Sequence, residues 1–140
     1  THRTVLEKLL QAVPDEHLGY KPWPGAMALG ELAQHVAKSA EMFVTIAKTG
    51  QGKIAKTVVE SCETTAQLLE IVRGHTERTK AVYETITDEE LNVEFDHPHP
   101  NFRGPREKLL ILSNDHEIHH KGQLFVYARM AGVENLPFFI

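Results

Sequence analysis

Residues 107 to 131 constrain the fold more than any other stretch of the chain. Apolar residues recur there at helical spacing, with Pro105 near the start and Gly132 just past the end, the asymmetry of a long helix. On a wheel advancing roughly 100° per residue, Leu109, Leu112, His120, Gln123, Tyr127 and Met130 fall within about 40° of His116. His119 lies about 60° to one side. Two imidazoles are thus expected in the middle of the buried face, where an unsatisfied polar group costs about 1–3 kcal/mol. Histidines at i and i+4 aim their nitrogens at one spot, as in sites that hold a single divalent ion. The competing reading is a pair of core histidines bonded to neighbouring carbonyls or carboxylates.

The chain has 140 residues, enough for one domain spanning 1–140. With 41% hydrophobic and 24% charged residues it is not a disordered chain. A net charge of -4 and scattered Lys and Arg argue against nucleic-acid binding. One cysteine, Cys62, rules out an internal disulfide framework and suits a reducing, cytoplasmic setting. No apolar run reaches membrane-spanning length and no stretch reads as a signal peptide. Because the chain opens at Thr1 already in helical register, the start of helix one or a tag is expected to be missing.

Three further helical patterns precede the last. Thr1 to Val13 repeats Val5, Leu6, Leu9, Leu10 and Val13 and ends at Pro14. Pro22-Trp23-Pro24-Gly25 is a linker, with Trp23 either a core lid or a pocket wall. A second helix from about Ala28 to Thr49 is closed by Gly50 and Gly52 and buries Leu29, Leu32, Val36, Ala40, Phe43 and Ala47. His35 sits on the flank of that stripe, and beside the 116/120 pair it becomes the natural third ligand. A third helix, capped by Thr64 or Thr65, runs to about Ile86 with His75 on its inner face, a hydrogen-bonded core residue or a competing ligand. Thr87 to Leu91 reads as a short capped turn. Asn92 to Gly104 has no helical period; its His97 and His99 are expected in solvent, with Phe102 and Arg103 facing a cleft beside the metal. Leu136 to Ile140 is expected to pack back on the helices or to form a dimer contact. The pattern is all-α: a four-helix bundle with a long crossover connection between the third and fourth helices.

Three stretches together resemble the DinB/YfiT-like family of small metal-binding helical proteins: Gly30-Glu31-Leu32-Ala33-Gln34-His35-Val36, His116-Glu117-Ile118-His119-His120-Lys121-Gly122-Gln123-Leu124, and Tyr127-Ala128-Arg129-Met130-Ala131-Gly132. The resemblance spans almost the whole chain; the family usually has Arg where this chain has Lys121. It implies a metal site of His35, His116 and His120, with zinc or nickel as the usual occupant. It also implies, for members tied to low-molecular-weight thiols such as bacillithiol and mycothiol, activation of a thiol for transfer or isomerisation.

Three neutral imidazoles leave coordination positions open, the arrangement of a catalytic site. Gln123 lies on the ligand arc, where it would orient water or substrate, and Glu31 and Asp115 are candidates to orient the ligand rings. His116-Glu117-x-x-His120 also fits the zinc-protease pattern, with Glu117 as general base, but the downstream histidine of the metzincins is absent. Two functions remain. One is a metal-dependent enzyme, a thiol transferase or small-molecule hydrolase. The other is a non-catalytic metal-binding or stress-response protein whose ion staples the bundle. Ile111, Ile118 and Phe125 on the back of the last helix point to a second buried face, which would meet either another helix or another subunit, and a homodimer is expected.

Overall fold

The computed structural model describes residues 1–139 and is mostly helical. Its elements are α1 (His2–Gln11), α2 (Leu29–Thr49), α3 (Thr65–Tyr83), the single turn α4 (Asp88–Leu91), β1 (Glu94–Phe95), β2 (Gly104–Pro105) and α5 (Glu107–Met130). The helix boundaries follow local chemistry. Thr64 accepts from the N–H of Gln67 at 3.2 Å while Gln67 reaches back to the N–H of Thr64, so α3 starts on a capping box. Thr87 and Glu90 repeat that device at α4. Glu31 accepts from the N–H of Ala28 at 2.7 Å and fixes the start of α2. At its other end, Gly50 takes φ 68° and its N–H returns to Ile46. The guanidinium of Arg106 occupies the space a Cβ on Gly50 would need, a second reason for glycine there.

α2 packs on α3 and α5, and α1 packs on the same two helices. One apolar cluster joins Leu6, Leu9 and Leu10 of α1 to Leu32 and Val36 of α2, Leu68 and Val72 of α3, and Leu124 and Ala128 of α5. A second, smaller cluster joins Phe43, Ile46 and Ala47 to Phe95 and Leu109. Since α2 contributes residues 29–37 to the first and 43–47 to the second, while α5 does so in reverse order, the two helices run antiparallel. Among the described residues no helix is long and apolar enough to cross a membrane.

Several expectations need correction. The chain is not purely helical: Glu94 pairs with Pro105 and Phe95 with Gly104, an antiparallel pair that closes the loop before α5. Two-residue strands carry no readable alternation, and Phe95 is buried there as a core plug. α3 stops at Tyr83, three residues short of Ile86. The buried arc of α5 is centred about 90° from His116, on the Glu117 side, and not on the imidazoles. It comprises Leu109, Ser113, Lys121, Leu124, Phe125, Tyr127 and Ala128, while Met130 is exposed. Phe125 belongs to this chain's own core and not to an outer face. Trp23 is 54% exposed and meets Tyr127 edge-on at 6.1 Å, so it is no core lid. In the last segment, Leu136 packs on the core while Phe138 and Phe139 are exposed; Ile140 lies outside the described residues.

Candidate metal centre

The antiparallel contact of α2 with α5 brings His35 level with His116 and His120, between the two apolar clusters. The Nε2 atoms of His35 and His116 stand 3.0 Å apart. The ring centroids of His116 and His120 are 4.3 Å apart, one helical turn separating the residues. One nitrogen from each of the three rings falls within 4.8 Å of the others, the only such cluster of potential ligands among the described residues. Two such nitrogens attract only when one carries a proton for the other or a cation is shared between them, and three converging imidazole nitrogens are a donor set that fits a divalent metal ion.

The electrostatics agree. Burial, followed by the neighbouring His120, His35 and His119, pushes the His116 pKa down to about 4. Burial and His120 lower that of His35. Burial also lowers that of His120, against a raising hydrogen bond from Gln123. All three rings are therefore held neutral at ordinary pH, the state in which imidazole ligates metal.

Neighbouring groups fix the rings. Nδ1 of His120 lies 2.6 Å from Oε1 of Gln123. An amide oxygen only accepts, so this nitrogen carries the proton and Nε2 keeps its free lone pair. Nδ1 of His35 lies 2.8 Å from Oγ1 of Thr57 and 3.4 Å from Oγ of Ser39. Thr57 sits in the long loop between α2 and α3, held along α2 by two ties. Gln34 donates to the carbonyl of Glu60 at 2.8 Å and accepts from its N–H at 2.7 Å. Lys38 donates to the carbonyl of Val58 at 2.7 Å. Thr57 has no sequence signal, because nothing in an aperiodic polar loop says which hydroxyl turns inward.

A cavity of ≈ 420 Å³ opens beside the cluster. His35, His116 and His119 line it together with Phe43, Phe102 and Leu112. Its walls are mainly apolar, and Asp115 and Ser39 add polar atoms. Phe102 thus faces the cleft as expected. Arg103 does not: its guanidinium donates to the carbonyl of His97 at 3.1 Å and pairs with Asp96.

The remaining candidates lie elsewhere. Glu117 accepts from Nε and Nη2 of Arg3 at 3.1 and 2.8 Å, in a pair whose side chains are 15% and 13% exposed. Arg3 also donates to Thr76, so this carboxylate is committed to a bridge among α1, α3 and α5. Glu31 is spent on the α2 cap and on Lys21. His75 bonds Glu41 at 2.5 Å, beside Arg78, and is a hydrogen-bonded residue outside the ligand cluster. His97 stacks on Phe95 at 5.9 Å. Lys121 is 4% exposed and points away from the cluster, donating to the carbonyl of Phe139 at 2.7 Å.

Comparison with known proteins identifies the family to which this fold belongs. The model of the DinB family matches residues 1–139. YjoA of Bacillus subtilis (strain 168) is 35% identical over 140 residues, covering 99% of this chain and 90% of that protein. The crystal structure of the DinB-like YjoA superposes with a TM-score of 0.79 at 33% identity, over 99% of this chain and 91% of that one. A DinB-like protein from Bacillus cereus ATCC 10987 does so with a TM-score of 0.70 at 25% identity, over 97% and 91%. With its whole described length matched by the family and its fold shared with two of that family's structures, the chain belongs to the DinB family.

Proposed function

We propose that His35, His116 and His120 hold one divalent metal ion, zinc or nickel, in a cytoplasmic four-helix bundle with a long crossover connection, and that the site acts on a small molecule. The observation that carries this reading is the convergence of three neutral imidazoles within 4.8 Å at the wall of an apolar cavity. A bound ion with open positions would lower the pKa of water, or deprotonate a thiol, at neutral pH. The reaction class is thiol transfer or small-molecule hydrolysis.

The chain's own residues supply the rest. Gln123 and Thr57 hold two of the rings in orientation. Phe43, Phe102 and Leu112 receive an apolar body and exclude water from it. Asp115 and His119, exposed at the cavity's edge, meet the polar end of what enters. Glu117 has no part in proton transfer here, because Arg3 occupies its carboxylate. The cavity favours an enzyme over a purely structural ion, since a staple between α2 and α5 needs no space beside it.

The test is to load the protein with zinc or nickel and incubate it with bacillithiol, glutathione or cysteine and an electrophilic acceptor. A parallel panel of small esters and amides covers hydrolysis. Turnover lost on chelation and in His116→Ala supports the reading. Stoichiometric metal with no turnover on either panel, and a large loss of thermal stability on chelation, leaves the structural staple instead.

A further inference from the structure

The loop between α2 and α3 borders two hollows. Ile54 and Ala55 line the cavity beside the histidine cluster. Lys53 and Val58 line another, of ≈ 390 Å³, which α2 closes with Lys38, Met42 and Ile46 and α3 with His75. Nδ1 of His75 has two neighbours, the Glu41 carboxylate at 2.5 Å and Nη2 of Arg78 at 2.9 Å. The carboxylate is closer, only accepts and is itself held by Arg78, so Nδ1 carries the ring proton. Nε2 is left as an acceptor. Its nearest polar neighbour is Oε1 of Glu60 at 4.0 Å, too far for a hydrogen bond.

That gap has the width of a missing donor. An ammonium nitrogen about 2.8 Å from each acceptor reaches both. Cations stand nearby. Lys38 donates to the carbonyl of Val58 at 2.7 Å and to Glu60 at 2.8 Å, which leaves its third N–H free. Lys53 is exposed and, among the described residues, belongs to no ion pair. We propose that this hollow binds a free α-amino acid with an apolar side chain. Its ammonium bridges His75 and Glu60, its carboxylate meets Lys38 and Lys53, and its side chain covers Met42, Ile46 and Val58. A simple amine would face two lysines without an anion to answer them, and a simple acid would leave both acceptors without a donor. The site needs no metal ion and shares none of the three clustered histidines.

Titration calorimetry of the intact protein with L-leucine tests this. Saturation is expected with a Kd between about 10 µM and 1 mM, the range open to a ligand of so few atoms. Isoamylamine, which lacks the carboxylate, and isocaproate, which lacks the ammonium, should each bind at least about tenfold more weakly, since each forfeits a charge-assisted contact. Glu60→Gln and Lys53→Glu change exposed side chains, so the fold survives them, and each should weaken leucine by a similar factor. Amide NMR shifts on leucine addition should centre on residues 38–46, 51–58 and 75. Because amino acids also chelate metals, the titration is repeated on His116→Ala, where the affinity should stay within about threefold of the parent. No binding up to about 10 mM overturns the proposal. So does isoamylamine or isocaproate binding as tightly as leucine, or affinity untouched by both Glu60→Gln and Lys53→Glu. Binding lost in His116→Ala also overturns it, by moving the amino acid to the metal centre.

Discussion

Nε2 of His35 faces Nε2 of His116 across 3.0 Å, joining the N-terminal third of α2 to the middle of α5. Without an ion, one of the two must carry a proton for the contact to be attractive; with one, both lone pairs are used. His35→Ala, His116→Ala and His120→Ala should therefore each abolish stoichiometric metal while leaving helical circular dichroism largely unchanged. The apolar clusters on either side keep the fold without the rings. Metal analysis of the purified variants checks this, and full metal retention in any of the three removes that residue from the ligand set.

Two groups that touch no metal should control how tightly it binds. Thr57 and Gln123 hold the Nδ1 sides of the His35 and His120 rings. Losing such a partner costs about 10–100-fold in metal affinity. Thr57→Val and Gln123→Leu should fall in that range by competition with a chromophoric chelator, whereas Thr57→Ser should stay within about threefold of the parent. Equal affinities for Thr57→Val and Thr57→Ser would deny the hydroxyl its role.

Much of this was legible in the residues, and what was not has physical causes. The helical periods of α1, α2, α3 and α5 are strong because each buries an apolar stripe, and the boundaries came within a few residues. His116 and His120 were readable as a pair from their one-turn spacing, and His35 as their partner from its place on the flank of α2. The orientation of α5 is not legible in the sequence, because Glu117 and Lys121 count as outward residues on a wheel. In the structure both turn inward, satisfied by Arg3 and by the carbonyl of Phe139, partners more than a hundred positions away and 18 positions away. Only the tertiary fold reveals those contacts. Thr57 was invisible for the same reason, since its partner His35 lies 22 positions back across a loop without period.

His75 offers the contrast to the three clustered histidines. Its ring lies 2.5 Å from the Glu41 carboxylate, with Arg78 alongside, at the contact of α3 with α2. His75→Ala should keep stoichiometric metal and lose about 1–2 kcal/mol of stability, the cost of leaving a half-buried carboxylate short of one partner. Urea denaturation with parallel metal analysis separates the two effects, and loss of metal in this variant would promote His75 to a ligand.

Glu117 tests the rejected protease reading. Its charge is matched by Arg3 at a site where both side chains are largely buried. Removing one partner of a buried pair costs about 3–5 kcal/mol because the other charge is stranded. Glu117→Gln should therefore destabilise the protein by an amount approaching that range while retaining metal at one per chain. Any turnover found for the parent should persist in the folded fraction. A stable, metal-loaded and inactive Glu117→Gln would restore the carboxylate as a general base.

Acid should act on the metal-free protein through the same rings. His116 titrates near pH 4 in the folded chain, against about 6.5 for an unperturbed histidine. Between those values the unfolded chain binds a proton that the folded chain refuses, so stability falls as pH falls through the window and levels off below it. Above about pH 6.5 the contribution is complete. His35 and His120, lowered in the same direction by burial, act with the same sign below about pH 6.5. Urea midpoints of chelator-treated protein, taken at steps from neutral pH downward, should decline across this interval, and His116→Ala should show a shallower decline than the parent. Identical slopes for the two would mean that the half-buried 116 ring is not held neutral by the fold.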